Sequence, residues 1–125
     1  MPLKHQALID KMQDACTHKQ ISGFRLNVLS QLLKIPPGQV TTYGLLAKSI
    51  NCHSAQAIGQ ALKANPWAPH VPCHRVIKSD LRIGGFFGQR SGIQINKKLS
   101  LLDSEGVFFD KDGILLDSTA IFNFE

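Results

Sequence analysis

One short segment, residues 71–77, carries the side chains with the clearest chemical potential, and it reads VPCHRVI. It places the thiol of Cys73 beside an imidazole and a guanidinium, in an apolar run that contains a proline. The thiolate is the reactive form of cysteine, and neighbouring cationic or basic groups stabilise it. We therefore predict that Cys73 is a nucleophile, that its neighbours raise its thiolate fraction at neutral pH, and that its sulfur is not sealed in the core.

The other cysteines and the histidines do not suggest a second reactive centre. Three cysteines at wide spacing fit neither a disulfide framework nor a C-x-x-C zinc site. Cys16 falls in a helical apolar pattern and Cys52 at a predicted helix end, so we expect both to be inert. No histidine pair has metal-ligand spacing supported by a further ligand. We expect no metal and no cofactor.

Size and charge limit the class of protein. A chain of 125 residues can bury one modest core, so we expect a single domain over residues 1–125. A formal net charge of +5 favours binding to a polyanion. No apolar run approaches the roughly 20 residues that span a bilayer, and the polar start is not a signal peptide. We expect an intracellular protein, cytoplasmic or nuclear, that does not contact membranes.

Helical periodicity dominates the first half of the chain. Apolar residues recur at helical intervals over residues 3–19 and 23–34, and the second run stops at the PPG sequence of residues 36–38. Thr41 or Thr42 can cap a third helix from residue 43 to about residue 50. The chain before Cys73 should therefore be mainly α-helical.

Two short helices across a tight polar turn suggest a helix-turn-helix. Ser54 is the N-cap expected for a helix over residues 55–63, which would be the helix that enters a DNA groove. This helix has small residues that would allow a close approach to DNA; they are Ala55, Ala57, Gly59 and Ala61. The alternative, a helix packed tightly against another helix, stays open on the local sequence.

The second half predicts shorter elements. Three prolines within residues 65–72 favour a fixed, extended path that presents Cys73. A hairpin is expected with strands 76–78 and 81–83, and a closing hairpin with strands 107–109 and 114–116. Between them lies a helix over residues 93–104 that should end at Gly106; its predicted inward residues are Ile95, Leu99, Leu101 and Leu102. The expected fold is mainly α with short β-hairpins, similar to a winged helix-turn-helix.

Taken in order, these motifs resemble the O6-alkylguanine-DNA alkyltransferase family, also called methylated-DNA-protein-cysteine methyltransferases. The matching motifs are GQVTTYG at residues 38–44, AIG at 57–59, NP at 65–66, PCHRVI at 72–77, GGF at 84–86 and LLDSEG at 101–106. The resemblance covers about residues 23–107. The separation of Asn65 from Cys73 makes it specific.

The resemblance implies a repair protein that acts on double-stranded DNA containing O6-alkylguanine. Such a protein flips the damaged guanine out of the duplex and transfers the alkyl group, usually methyl, irreversibly to Cys73, once per molecule and without a cofactor. His74 would remove the thiol proton through a water, Glu105 would orient the imidazole, and Asn65 would brace the turn before the active site. Adjacent side chains of an extended strand point to opposite faces, which agrees with an intervening water. We expect a monomer.

The resemblance also implies which residues bind the nucleic acid. Tyr43 would contact the target nucleotide, and Ser79 a phosphate. The full implied DNA-binding set is Tyr43, Thr42, Gln56, Ala55, Gly59 and Ser79, and the implied substrate-binding set is Val76, Phe86 and Phe87. We expect Arg75 to be a buried structural guanidinium rather than a DNA contact.

The sequence departs from the family pattern at three points, and each departure predicts a difference in DNA binding, reaction rate or domain content. Gln56 stands where the family usually has an arginine that fills the gap left by the flipped base, so weaker binding or slower extrusion is expected. Phe86 stands where many members have a tyrosine that can donate to the leaving oxygen, so a slower reaction is expected. About 22 residues precede the region of resemblance, which suggests a minimal version without the family's N-terminal domain.

Two other functions compete with repair. Alkyltransferase-like relatives bind O6-alkylguanine without repairing it and pass the lesion to excision repair; they have lost the acceptor cysteine, whereas this chain has Cys73. A cysteine hydrolase would use the same thiol, imidazole and carboxylate. That reading leaves the predicted helix-turn-helix and the basic charge unexplained.

Overall fold

The computed structural model describes residues 2–63, 65–68, 70–84 and 92–124. The α-helices in these ranges are α1 (Pro2–Thr17), α2 (Gly23–Leu32), α3 (Tyr43–Ser49), α4 (Ala55–Lys63) and α5 (Ile93–Ser104). The strands are β1 (Thr41–Thr42) and β2 (Val76–Ile77). The predicted mainly α fold is confirmed. No helix in the described part of the chain combines the length and the apolar character needed to cross a membrane.

Local capping explains where the helices begin. The hydroxyls of Ser22, Thr42 and Ser54 each accept a hydrogen bond from the backbone N–H three residues later, at 3.0–3.1 Å. Such bonds satisfy N–H groups that have no partner within the first turn. At the other end of α5, Gly106 has a φ of 84°, a conformation that favours glycine. The predicted caps at residues 42 and 54 are confirmed.

The core has two parts. The larger part lies among α1 to α4 and is built from fully buried residues such as Met12, Leu29, Leu46 and Ile58. The smaller part lies between β2, α5 and the closing hairpin; its buried members are Val40, Ile77, Leu102, Val107 and Leu115. Cys73 belongs to the larger part. The segment that carries the thiol therefore runs along the junction of the two.

Strand pairing differs from the prediction around residues 76–83. β2 pairs in parallel with β1, with Thr41 opposite Val76 and Thr42 opposite Ile77. The predicted turn forms, because the Lys78 N–H donates to the Arg82 carbonyl at 2.9 Å, but Arg82 then pairs with Ile114 instead of extending a hairpin. The reason is that β1 and the closing hairpin, both distant in sequence, offer these residues better-placed backbone partners. The closing hairpin is confirmed by the antiparallel pairing of Phe109 with Leu115.

The extended path predicted for residues 65–72 is wrong, because the Val71 N–H donates to the Trp67 carbonyl at 3.0 Å and the chain turns there. The segment Cys73–Arg75 is a single 3₁₀ turn, not the extended strand expected for Cys73 and His74. The Val76 N–H donates to the Cys73 carbonyl and closes the turn. Successive side chains of a 3₁₀ turn are separated by about 120° rather than alternating between two faces. The side chains of Cys73 and His74 still diverge, and no hydrogen bond joins them within the described residues.

Candidate active site

Asn65 fixes the turn that leads to Cys73. Its Nδ2 donates to the Val71 carbonyl at 2.8 Å, and its Oδ1 accepts from the Trp67 N–H at 3.0 Å. The side chain is buried, so both bonds are shielded from water. The same amide lies near the thiol of Cys73 and acts to lower the pKa of that thiol. One amide therefore ties the end of α4 to the segment that carries the sulfur.

Cys73 is only 5% exposed and packs in the larger part of the core, so the prediction that its sulfur is not sealed in the core is wrong for the free protein. Its ionisation also differs from the prediction. Burial raises the pKa of the Cys73 thiol, while the Asn65 amide and the Lys98 charge oppose the rise without cancelling it. The prediction that its neighbours increase the thiolate fraction in the free protein is therefore wrong. The cause is desolvation, which disfavours the charged form and here exceeds the stabilising contacts.

His74, Arg75 and Glu105 form one charged network. His74 Nε2 lies 3.1 Å from Glu105 Oε2, Arg75 Nε donates to Glu105 Oε1 at 2.9 Å, and Arg75 Nη2 donates to Oε2 at 2.7 Å. Arg75 Nη1 also donates to the Ile35 carbonyl at 2.8 Å. The two-pronged contact is the strong geometry for a guanidinium and a carboxylate. The expectation that Arg75 is structural agrees with these contacts.

The network keeps the imidazole neutral and the carboxylate charged. Burial lowers the pKa of His74 and outweighs the opposing effect of Glu105. For Glu105, burial raises the pKa, but the hydrogen bonds from Arg75 and His74 hold it below its usual value. His74 Nδ1 is buried and has no hydrogen-bond partner within the described residues. Because Nε2 faces the carboxylate, Nδ1 is the ring atom left to accept a proton.

Lys98 was not identified from the sequence. It lies on α5 with 0% exposure, where the pattern predicted Leu99 as an inward residue; Leu99 is only half-buried. Burial lowers the pKa of Lys98 to about 7, and the nearby Cys73 opposes that change. A lysine in a helical apolar pattern normally faces solvent, so no local pattern indicated that Lys98 is buried.

Three predicted DNA-binding residues lie close to one another around the start of α3. Tyr43 is half-buried, and burial followed by the proximity of Cys73 raises the pKa of its hydroxyl. Ser79 is exposed, and a Cβ added to Gly44 would meet its Oγ at 3.0 Å. Thr42 is buried and uses its hydroxyl to cap α3. Thr42 therefore offers DNA little surface, and its contact stays a prediction.

Helix α4 presents one apolar face to the protein and another face to solvent. Ile58, Ala61 and Leu62 are buried against the neighbouring helices. Ala55 and Gln56 are exposed, and a Cβ added to Gly59 would meet nothing within 4 Å. Packing inside the protein therefore does not require a glycine at position 59. Packing against neighbouring helices is confirmed for one side of α4, whereas entry of the open side into a DNA groove stays a prediction.

The predicted substrate-binding residues are only partly described. Val76 is fully buried; its N–H donates to the Cys73 carbonyl and its carbonyl accepts from Lys98 Nζ. Both of its backbone groups thus have partners inside the protein. Phe86 and Phe87 lie outside the described residues. Among the residues that are described, no three of the His, Cys, Asp and Glu side chains are placed to hold a metal ion.

Comparison with known sequences identifies a family. The family model described as 6-O-methylguanine DNA methyltransferase, DNA binding domain, matches residues 23–107. A methylated-DNA-protein-cysteine methyltransferase of Saccharolobus islandicus is 42% identical over 84 residues, which is 67% of this chain and 51% of the relative. The chain thus spans about half the length of the curated relatives it matches.

Solved structures give a similar result. The O6-methylguanine-DNA methyltransferase of Pyrococcus kodakaraensis aligns with a TM-score of 0.60 and 43% identity, covering 70% of this chain and 48% of that chain. The S. pombe protein ATL, solved in complex with DNA, aligns with a TM-score of 0.65 and 28% identity, covering 82% of this chain and 97% of that chain. The helical fold and its short strands are those of the alkyltransferase fold.

Proposed function

Because the chain belongs to the 6-O-methylguanine DNA methyltransferase family, we propose that it repairs O6-alkylguanine in double-stranded DNA by moving the alkyl group to Cys73. The observation that carries this proposal is the placement of Cys73 directly before a buried, neutral imidazole that is held by a charged carboxylate. A neutral imidazole beside a carboxylate can accept a proton from a nucleophile.

The proposed transfer is a nucleophilic substitution at the alkyl carbon, in which the sulfur displaces the guanine oxygen. The thiol proton passes through a water to His74 Nδ1, and the Sγ lone pair attacks the alkyl carbon on O6. A carbon–sulfur bond forms as the carbon–oxygen bond breaks, and the electrons of the broken bond remain on the base, which takes up one proton to become guanine. The product is a thioether, whose carbon–sulfur bond is stable to hydrolysis, so each molecule would react once.

The raised pKa of the Cys73 thiol fits a nucleophile that is activated only when substrate is present. A thiol that stays protonated is less easily oxidised or alkylated by other compounds. Entry of the flipped base would bring the alkyl carbon to the sulfur and exclude bulk water. His74 then removes the proton during the attack rather than beforehand.

DNA recognition is proposed to occur on the open face of α4 and the start of α3. Ala55, Gln56 and Gly59 leave that face of α4 low and uncharged, so the helix backbone can approach a groove. Tyr43 lies near Cys73, and Ser79 lies beside Gly44, the residue that follows Tyr43. A guanine extruded from the duplex would pass Tyr43 to reach Cys73, which supports base flipping as the route.

The test is a single-turnover assay with a duplex containing one labelled O6-methylguanine. The expected result is stoichiometric transfer of label, with the methyl located on the Cys73 peptide by mass spectrometry. Cys73→Ala should abolish transfer, whereas the matched change Cys52→Ala should leave it intact. Binding without transfer would mean that the protein only recognises the lesion. Release of more than one equivalent of product would indicate a hydrolase.

A further inference from the structure

Lys98 connects two backbone segments near Cys73, one at Val76 and the other at Ile83. Its Nζ donates to the Val76 carbonyl in β2 at 2.8 Å and to the Ile83 carbonyl at 2.6 Å. These carbonyls belong to the two arms that flank the turn at residues 78–81. One backbone hydrogen bond, from the Lys78 N–H to the Arg82 carbonyl, joins the arms, but the hairpin does not continue to Val76 and Ile83, and the ammonium group bridges these two residues instead. Val76 adjoins the reactive turn, and Ile83 leads into the glycine sequence at residues 84–85.

The burial of this ammonium group is unfavourable by itself. Removing a charge from water disfavours the folded state unless hydrogen bonds and an opposite charge compensate. Two carbonyls provide part of that compensation. The charge of Lys98 acts on Cys73, whose thiolate it favours, and a Cys73 thiolate acts in the same way on Lys98. Methionine or leucine would fill a similar volume without the desolvation cost, so packing does not explain lysine here.

We propose that Lys98 is a positioning residue for the alkyl transfer: its ammonium group holds β2 and Ile83 at a fixed spacing beside Cys73 and favours the thiolate at the moment of attack. The role of Lys98 in alkyl transfer deepens the proposed function and rests on it, because the DNA substrate is itself proposed. The effect of Lys98 on the reactivity of the thiol does not depend on that function.

The effect of the Lys98 charge can be distinguished from the effects of the surrounding charges by its dependence on pH. Among the described residues, Tyr43 lies near Cys73, Lys98 acts on His74, and Arg75 and Glu105 pack around His74. The pKa of His74 is lowered, that of Glu105 is lowered and that of Tyr43 is raised. Between about pH 6.5 and 8.5 these three groups therefore keep one charge state. Lys98, with a pKa of about 7, changes charge within that window.

The experiment measures carbamidomethylation of Cys73 by iodoacetamide from pH 6.5 to 8.5 in the full chain, followed at the Cys73 peptide by mass spectrometry. Three variants separate charge from shape: Lys98→Arg keeps the charge, Lys98→Gln keeps a donor without charge, and Lys98→Met keeps neither. Circular dichroism and thermal unfolding establish that each variant is folded. The exposed neighbour gives the matched control, Lys97→Met.

The expected result is pH-dependent. At pH 6.5, Lys98→Met and Lys98→Gln should react about tenfold more slowly than the unchanged protein, because the thiolate loses the favourable charge of Lys98. That ratio should fall towards one above pH 8, where Lys98 itself is neutral. Lys98→Arg should stay fast throughout, and Lys97→Met should match the unchanged protein.

A ratio that does not vary with pH, or a Lys98→Gln variant as fast as the unchanged protein at pH 6.5, would overturn the proposal. If no folded neutral variant can be made, the ammonium group is structural and the proposal also fails. The same variants are then assayed on the O6-methylguanine duplex. If the unchanged protein does not transfer methyl while the iodoacetamide ratio behaves as expected, the proposed repair function fails and the role of Lys98 stands.

Discussion

At the scale of single residues, Glu105 connects most of the active-site geometry. Its two oxygens accept from Arg75 and lie beside His74 Nε2, and Arg75 in turn holds the Ile35 carbonyl. One carboxylate therefore orients the imidazole and also ties the 3₁₀ turn to the loop after α2. Removing only its charge leaves a largely buried guanidinium without its counter-ion, a situation that is strongly destabilising.

Glu105→Gln is accordingly expected to lower both stability and rate. The loss of charge-assisted hydrogen bonds should reduce the free energy of unfolding by about 2–3 kcal/mol in urea denaturation. The methyl-transfer rate should fall by about 100-fold, since a misoriented imidazole loses the advantage of general-base catalysis. Asp103→Asn, on the exposed surface of α5, is the matched control and should change stability by less than about 0.5 kcal/mol. Equal effects from the two substitutions would show that the network has no special role.

At the scale of elements, α4 combines a packed face with an open face. Its buried residues, Ile58, Ala61 and Leu62, fix its position against α2 and α3. Gly59 lies where an added Cβ would touch nothing, and its φ is not in the left-handed region. A glycine in a helix interior without a steric reason costs stability relative to alanine. The glycine at position 59 is therefore best explained by a binding partner that approaches the open face of α4 closely.

Gly59→Ala should change stability and DNA binding in opposite directions. The free energy of unfolding is expected to rise by about 0.5–1 kcal/mol, because alanine has the higher helix propensity. Affinity for duplex DNA, measured by fluorescence anisotropy at fixed salt, should fall several-fold because the methyl group occupies the approach surface. Gly23→Ala is the control, since Gly23 in α2 is equally unobstructed and should leave DNA binding unchanged. Unchanged binding by the Gly59 variant would place the DNA elsewhere.

At the scale of the whole molecule, charge is distributed unevenly along the chain. Six of the nine acidic residues lie within residues 103–125, which contain a single basic residue, Lys111. The rest of the chain, including α3 and α4, is therefore strongly basic. A polyanion would be attracted to the helical part and repelled by the closing hairpin, so the long-range field favours the same orientation as the proposed contacts.

The buried ammonium group should also make global stability depend on pH. In the unfolded chain Lys98 keeps its proton up to its usual pKa of 10.5, whereas the folded protein releases that proton above about pH 7. The unfolded state then binds more protons, so stability attributable to Lys98 rises with pH, by at most about 1.4 kcal/mol per unit. Urea unfolding at pH 7 and pH 8.5 measures this rise. The higher of these pH values, 8.5, lies below the usual pKa of a thiol, so Cys73 contributes little to the change in stability.

The comparison that isolates this effect is between Lys98→Met and Lys97→Met. The first variant should lose the rise in stability between pH 7 and 8.5, and the second should retain it because Lys97 is exposed. His74 does not confuse the result, since its lowered pKa confines its own contribution to pH values below about 6.5. A rise that survives in Lys98→Met would mean that another group releases the proton.

The sequence by itself determined the helices, their caps and the candidate nucleophile. Helix α5 was predicted with the bounds that the structure has, and Thr42 and Ser54 were identified as caps, because periodicity and capping depend on residues within one or two turns of each other. The candidate residues Cys73, His74 and Glu105 were also named from the sequence. Their functional roles stay predictions until the transfer assay is done.

Only the tertiary structure decided the environment of the thiol. The parallel pairing of β2 with β1 depends on residues about 35 positions apart, and Lys98 reaches carbonyls 15 and 22 residues away. The pKa of Cys73 is set by burial against the sum of these contacts, and burial is a property of the assembled core. Local sequence could therefore indicate which atom reacts, whereas the balance between desolvation and distant charges decides when it is ionised.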